Sequence, residues 1–312
     1  MRQGFNRKTD FTNKERLKIG LELWPHTYKG GATDEQAIQR LMGAIQAGPL
    51  GHHRLNFALA EDQLHMMWAG RWVDQGCPRI TMDDNYAGVL MATDVGQAVF
   101  DKIVFPWRAF MVDLPKDWLT TKGPDGNMHP FHKLIVHVVD RAGQTLINYM
   151  LYTPTALQLW SQNTPLHDMM NEEIGQPFTY GHPREERDDR IVVLVGRFIL
   201  SLCVAMSDPD NIEERRRKRG SKQAKGRAKR GIPDIKNFVV GKPTTLNCKP
   251  AIVEYIEGGR THKSATVQQL VRGHWKHQPH GPGRSERKLI KIDPYWRGPE
   301  EAPILARTIH LK

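Results

Sequence analysis

Residues 188–206, DDRIVVLVGRFILSLCVAM, constrain the fold more than any other stretch. Apolar positions fill most of the helical circumference, so a helix here must be enclosed on nearly every side. Gly196, Arg197 and Ser201 interrupt the run, which makes it a buried core helix rather than a membrane span. Asp188 and Asp189 suit the positive end of the helix dipole, and Ser207-Asp208-Pro209-Asp210 stops the helix. A helix of this kind is expected at the centre of the N-terminal core.

The preceding residues supply candidate helices and strands. Asp34 reads as an N-cap, followed by Ala37, Ile38, Leu41, Met42 and Ile45 at helical spacing, with Gly48-Pro49 as the stop. Leu55 to Trp72 reads as a second helix. Phe105–Leu114, Lys133–Val139 and Thr145–Tyr152 read as strands, and the short connection Asp140–Gln144 makes the last two an antiparallel hairpin. Residues 161–187 are polar and contain Pro165, Pro177 and Pro183, which predicts a loop. Asp113, Asp117 and Asp125 lie in or beside turn segments, where Asp is favoured for its backbone hydrogen bonds. Neither they nor His52, His53 and His65 have the companions a metal site needs.

Charge divides the chain. Its net charge of +11 is concentrated in two places. Residues 215–230, RRRKRGSKQAKGRAKR, carry ten positive charges and no acid. This run cannot bury itself, so it reads as a solvated linker or an arm that orders on a polyanion. Arg215, Arg216, Arg217, Lys218, Arg219, Arg227, Lys229 and Arg230 are its candidate RNA contacts. The second patch lies towards the end, and the rest of the chain is net acidic. Basicity placed this way points to a polyanion partner for the C-terminal third. Cys77, Cys203 and Cys248 are scattered and odd in number, against both a disulfide framework and a zinc ribbon. The first residues, MRQGFNRKTDFTNKERLK, lack an apolar core. A reduced, cytoplasmic protein with no membrane partner is the expectation.

The second patch is VRGHWKHQPHGPGRSERKLIKIDPYWRG, residues 271–298, with four Arg, three Lys, three His and two Trp. Gly281-Pro282-Gly283 divides it into two strands, Leu270–Trp275 and Arg287–Ile292, and Pro294 ends the second. Asn237–Gly241 and Ala251–Ile256 read as strands before it. Arg272 and His274 are expected on one strand face beside the Gly281–Gly283 turn, close to Arg284 and Arg287, with Trp275 on the other face.

Metal-free RNA cleavage needs a base for the ribose 2′-OH, a cation for the phosphate and an acid for the leaving oxygen. His274, His277 and His280 are candidates for proton transfer. Arg272, Arg284 and Arg287 are candidates for the phosphate. Arg272, His274, His277 and Arg284 form the candidate catalytic set. Trp275, Lys276, Arg287 and Lys288 are the RNA contacts of the hairpin, with Trp275 either stacking on bases or packing inward. A binding surface without catalysis remains equally open, because no nucleophile–base pair is identifiable. No cofactor or metal is expected.

The same stretch resembles the end motif of a type V-A anti-CRISPR family and its phage and plasmid relatives, an Arg-Gly-His-Trp strand, a Gly-rich break and a second basic strand. Trp107–Leu114 and Leu200–Asp210 resemble family segments in the same order. The resemblance implies recognition of the nascent N-terminal peptide of a type V CRISPR effector, followed by degradation of its mRNA, by cutting or by recruiting a nuclease. The partners implied are RNA, as mRNA or on the ribosome, and that peptide. A non-catalytic nucleic-acid-binding accessory protein and a stand-alone ribonuclease toxin are the alternatives. The fold expected is α+β, divided into an N-terminal α/β partner-recognition domain (1–210), a basic linker (211–231) and a small β-rich RNA-engaging domain (232–312).

Overall fold

A computed structural model describes residues 28, 32–33, 35–37, 39–40, 43, 60–95, 103–123, 125–141, 143–153, 158–166, 169, 178–180, 186–215, 233–257, 268–271, 273–297 and 304–305. Residues 35–37, 39–40 and 43 are helical, and the expected cap Asp34 lies outside the described residues. Thr33 Oγ1 accepts from the Gln36 amide at 3.3 Å, and Gln36 Oε1 accepts from the Thr33 amide at 3.1 Å. This is the reciprocal pairing of a capping box.

Helix α1 (Ala60–Asp74) leads into β1 (Pro78–Thr81), α2 (Asp84–Met91) and the short β2 (Thr93–Asp94). Asp83 caps α2, accepting from the Tyr86 amide at 3.2 Å. Strands β3 (Ala109–Asp113), β4 (Thr120–Lys122), β5 (Met128–Pro130), β6 (Lys133–Arg141), β7 (Gln144–Tyr152), β8 (Gln158–Pro165) and β9 (Phe178–Tyr180) follow. β6 and β7 form the expected antiparallel hairpin. β8 and β9 stand where the prolines predicted a loop. Pro165 is the last residue of β8, a strand end, where proline is tolerated.

The expected core helix is α3 (Glu186–Met206), buried without a break from Ile191 to Met206. Beyond it come β10 (Ile212–Arg215), β11 (Lys236–Val240), α4 (Lys249–Ile256), β12 (Gln268–Val271), β13 (Gly273–His280), β14 (Glu286–Ile292), β15 (Tyr295–Arg297) and β16 (Ile304–Leu305). Helices and strands mix as an α+β chain should. No helix among the described residues is long and apolar enough to cross a membrane.

One sheet of eight strands, in the order β10-β11-β1-β3-β6-β7-β8-β9, organises the molecule. β11, β1 and β3 run parallel, and the other neighbours are antiparallel. Strand periodicity sorts its side chains onto two faces. Phe110, Val112, Leu134, Val136, Ile147, Tyr149 and Leu151 join α2, α3 and α4 in the larger core. Ala109, Met111, Ile135, Met150 and Tyr152 meet Trp68 and Trp72 of α1 in the smaller. The two indoles stack at 5.2 Å, and each N–H finds a backbone carbonyl, Trp68 on Phe110 and Trp72 on Pro78.

The boundary expected near residue 232 does not separate residues 236–256 from the N-terminal part. β11 pairs with β1 on one side and β10 on the other. Val240, Cys248, Ala251, Ile252 and Ile256 lie in the same core as α3. In sequence the basic run lies between β10 and β11, two strands that pair with each other. Its first residue, Arg215, is the last of β10, exposed and opposite Asn237. Ala251–Ile256, expected as a strand, belongs to α4. Pro250 fits the first turn of that helix, and Ala251, Ile252 and Ile256 bury one face. Short apolar runs fit both periods, and here the helical one wins.

Candidate nucleic-acid interface

β13 and β14 form an antiparallel ribbon closed by a turn over Gly281–Ser285. Gly281 (φ 79°) and Gly283 (φ 62°) adopt left-handed conformations that other residues resist. The ladder pairs His274 with Ile292, Trp275 with Lys291, Lys276 with Ile290, His277 with Leu289, Gln278 with Lys288, Pro279 with Arg287 and His280 with Glu286. Directly paired residues share a face. His274, Lys276, Gln278, His280 and Lys288 are exposed, and all belong to one face.

The other face holds the ribbon to the body. Trp275 and Leu289 are partly buried against the larger core. The Trp275 indole N–H is enclosed, with no acceptor among the described residues. Trp275 is therefore a packing residue, which decides between the two roles left open for it. Lys291 lies over the Tyr86 ring of α2 at 4.4 Å and pairs with Asp293 at 2.9 Å. Burial lowers the Lys291 pKa, against the opposing pull of Asp293. Burial, with the Asp293 charge second, pushes Tyr86 up to about 12. Cys248 is also pushed up to about 12, chiefly by burial, so its thiol is inert. Tyr86 and Thr93 are missing from the sequence-based site because nothing local marks a residue 150 or more positions away as the seat of a strand.

At its base β13 runs parallel to β2, Gly273 beside Thr93 and His274 beside Asp94. Thr93 is fully buried. Its hydroxyl donates to Val89 O at 2.6 Å, and its carbonyl accepts from Ser201 Oγ at 3.2 Å. The ribbon thus rests on α2 and α3 together.

The register overturns the expected cluster. His274 sits at the base, and His280, beside the turn, is six residues further, about 20 Å along an extended strand. Arg287 faces Pro279, not His274. His274 therefore lies far from both Arg284, in the turn, and Arg287. The expected strand Leu270–Trp275 is also split. β12 pairs with β15 and β16 in one small sheet, while β13 pairs with β14 and β2 in another. Arg272 falls between them, outside the described residues, as do Arg216, Arg217, Lys218, Arg219, Arg227, Lys229 and Arg230. The backbones of His277 and Arg284 are placed, but their side chains lie outside the described set. His280 Nε2 is 3.0 Å from Glu286 Oε2 across the end of the ladder. The three aspartates of the β region do not converge either. Asp113 is held between Arg79 and Lys133 at 2.8 and 2.6 Å, and Asp125 pairs with His129 at 3.0 Å.

The AcrVA2-like family model, described as anti-CRISPR type V subtype A2, matches residues 56–299. The chain belongs to this family. The matched span runs from α1 to β15, and includes the Arg-Gly-His-Trp ribbon, Trp107–Leu114 and Leu200–Asp210. Among solved structures the chain is similar to the crystal structure of AcrVA2, at 12% identity and a TM-score of 0.43, over 90% of this chain and 93% of that one. No curated protein matches. Family membership makes this an anti-CRISPR type of protein, and its ribbon carries the exposed basic residues Lys276, Arg287 and Lys288.

Proposed function

We propose that this family member recognises the nascent N-terminal peptide of a type V CRISPR effector in the cytoplasm and causes loss of the mRNA being translated. The ribbon and the basic run 215–230 engage RNA, and the net acidic remainder takes the protein partner. The observation that carries this reading is the outward face of β13–β14, where Lys276 and Lys288 stand exposed on a ribbon fixed to the core. The separation of His274 from the turn by the length of β13 favours recruitment of a cellular ribonuclease over cutting by this chain. Cation-lined binding surfaces need no proton-transfer pair, whereas cleavage does.

The test is co-expression with a type V effector, reading effector mRNA and protein against an empty vector, with purified protein incubated with the same mRNA in parallel. Loss of mRNA in cells without cleavage by the purified protein is the expected pattern. Unchanged effector mRNA would remove the proposal, and cleavage by the pure protein would replace recruitment with catalysis.

A further inference from the structure

The face that projects from the ribbon carries the Lys276 and Lys288 ammonium groups, the Gln278 amide and the His274 and His280 imidazoles, beside Ile290, Ile292 and the Glu286 carboxylate, but no indole or phenol ring. Single-stranded nucleic acids are held largely by bases stacked on exposed aromatics. Here the indole nearest the cations, Trp275, is turned into the body with its N–H enclosed. Tyr295 is 52% exposed, but it lies beyond Pro294 in the other small sheet. Lys276 and Lys288 are on this outward face, with Gln278 directly opposite Lys288. Resting on the reading that the ribbon engages RNA, we propose that its outward face binds double-helical RNA along the sugar–phosphate backbone.

Three features support a duplex. Ammonium groups neutralise phosphates without needing an unstacked base. The Gln278 amide both donates and accepts, which suits a ribose 2′-hydroxyl, the group that distinguishes RNA from DNA. A-form RNA presents a wide, shallow minor groove lined by those hydroxyls, and a stiff two-stranded ribbon can lie across it. Stiffness is built in at the base, where Gly273 rests on Thr93 and Lys291 on Tyr86. A pre-formed ribbon has little conformational freedom left to lose on binding. From His280 to Lys288 the described side chains are exposed on both faces, so the distal end stands clear of the body.

The experiment is fluorescence anisotropy of the full-length protein at several salt concentrations. The probes are a blunt RNA duplex of about two turns, one of its strands alone, and the DNA duplex of the same sequence. The RNA duplex is expected to bind several-fold tighter than either other probe. The double variant Lys276→Gln/Lys288→Gln should weaken duplex binding about tenfold and flatten the salt slope by roughly two. Gln278→Ala should lessen the RNA-over-DNA preference. Because the basic run stays intact in each variant, its non-specific contribution cancels in the comparison. Equal or tighter single-strand binding, equal DNA binding, or an unchanged double variant would each overturn the duplex assignment while leaving RNA engagement intact. Binding of no RNA at low salt would overturn RNA engagement itself. Circular dichroism of each variant confirms that these exposed changes leave the fold unaltered.

Discussion

Gly273 lies so close to Thr93 that a Cβ on Gly273 would stand 2.7 Å from the Thr93 hydroxyl. The same atom would meet Pro294 Cδ at 2.7 Å and the Ile292 carbonyl oxygen at 2.8 Å. Two of these neighbours are rigid and the third is hydrogen-bonded to Val89. Gly273→Ala should therefore cost about 1–3 kcal/mol, the usual range for overpacking. Thermal melting of the variant beside the parent measures it, and an unchanged midpoint would show that β13 is not seated on β2.

His274 and Trp275 are adjacent in sequence and opposite in role. Trp275→Ala should destabilise by about 3 kcal/mol through lost packing, and Trp275→Phe by clearly less. His274→Ala removes an exposed side chain and should move stability by no more than about 0.5 kcal/mol. Denaturant unfolding of the three variants separates these cases. Equal losses for His274→Ala and Trp275→Ala would reverse the assigned faces.

Alkaline stability should report the burial of Tyr86 and Lys291. Tyr86 has its pKa raised from 10.0 to about 12, so its contribution is fully present below pH 10 and disappears as pH climbs towards 12. A tenfold difference in proton affinity between the folded and unfolded chain is worth about 1.4 kcal/mol, so the loss is about 2–3 kcal/mol. Lys291 acts in the opposite sense. Its lowered pKa means that, below 10.5, the unfolded chain holds a proton that the folded chain binds less well, so its contribution grows with pH. Tyr86→Phe should remove the loss between pH 10 and 12, and Lys291→Met should remove the rise below it. The parent-minus-variant difference in unfolding free energy, taken across pH 8 to 12, tests both signs.

Cleavage within residues 216–231 should leave the two fragments associated. β11 lies between β10 and β1, and the pieces it joins share one core. A nicked chain is expected to co-elute on gel filtration and to separate only in denaturant. A fragment ending at 214 should fail to fold alone, because its sheet lacks an internal strand. A stable, monomeric 1–214 fragment would restore the two-domain division.

Several features were legible in the residues themselves. The α3 helix declares itself through continuous apolar coverage, acidic first-turn residues and a Ser-Asp-Pro stop, all local properties. The β6–β7 hairpin does so through strand patterns on either side of a short polar connection. The family resemblance was likewise carried by contiguous residues, the Arg-Gly-His-Trp motif and the Gly-rich break after it. Only tertiary structure decided where those pieces meet. A short apolar run such as Ala251–Ile256 fits either period until its neighbours select one. The neighbours of β11 are a strand more than 150 residues earlier and one beyond the basic run. The sidedness of Trp275 and the distance from His274 to the turn follow from strand register, and register is set by what each face is pressed against. The motif is local, but the seat provided by Thr93 and Tyr86 is not, and that seat fixes which of its residues face the solvent.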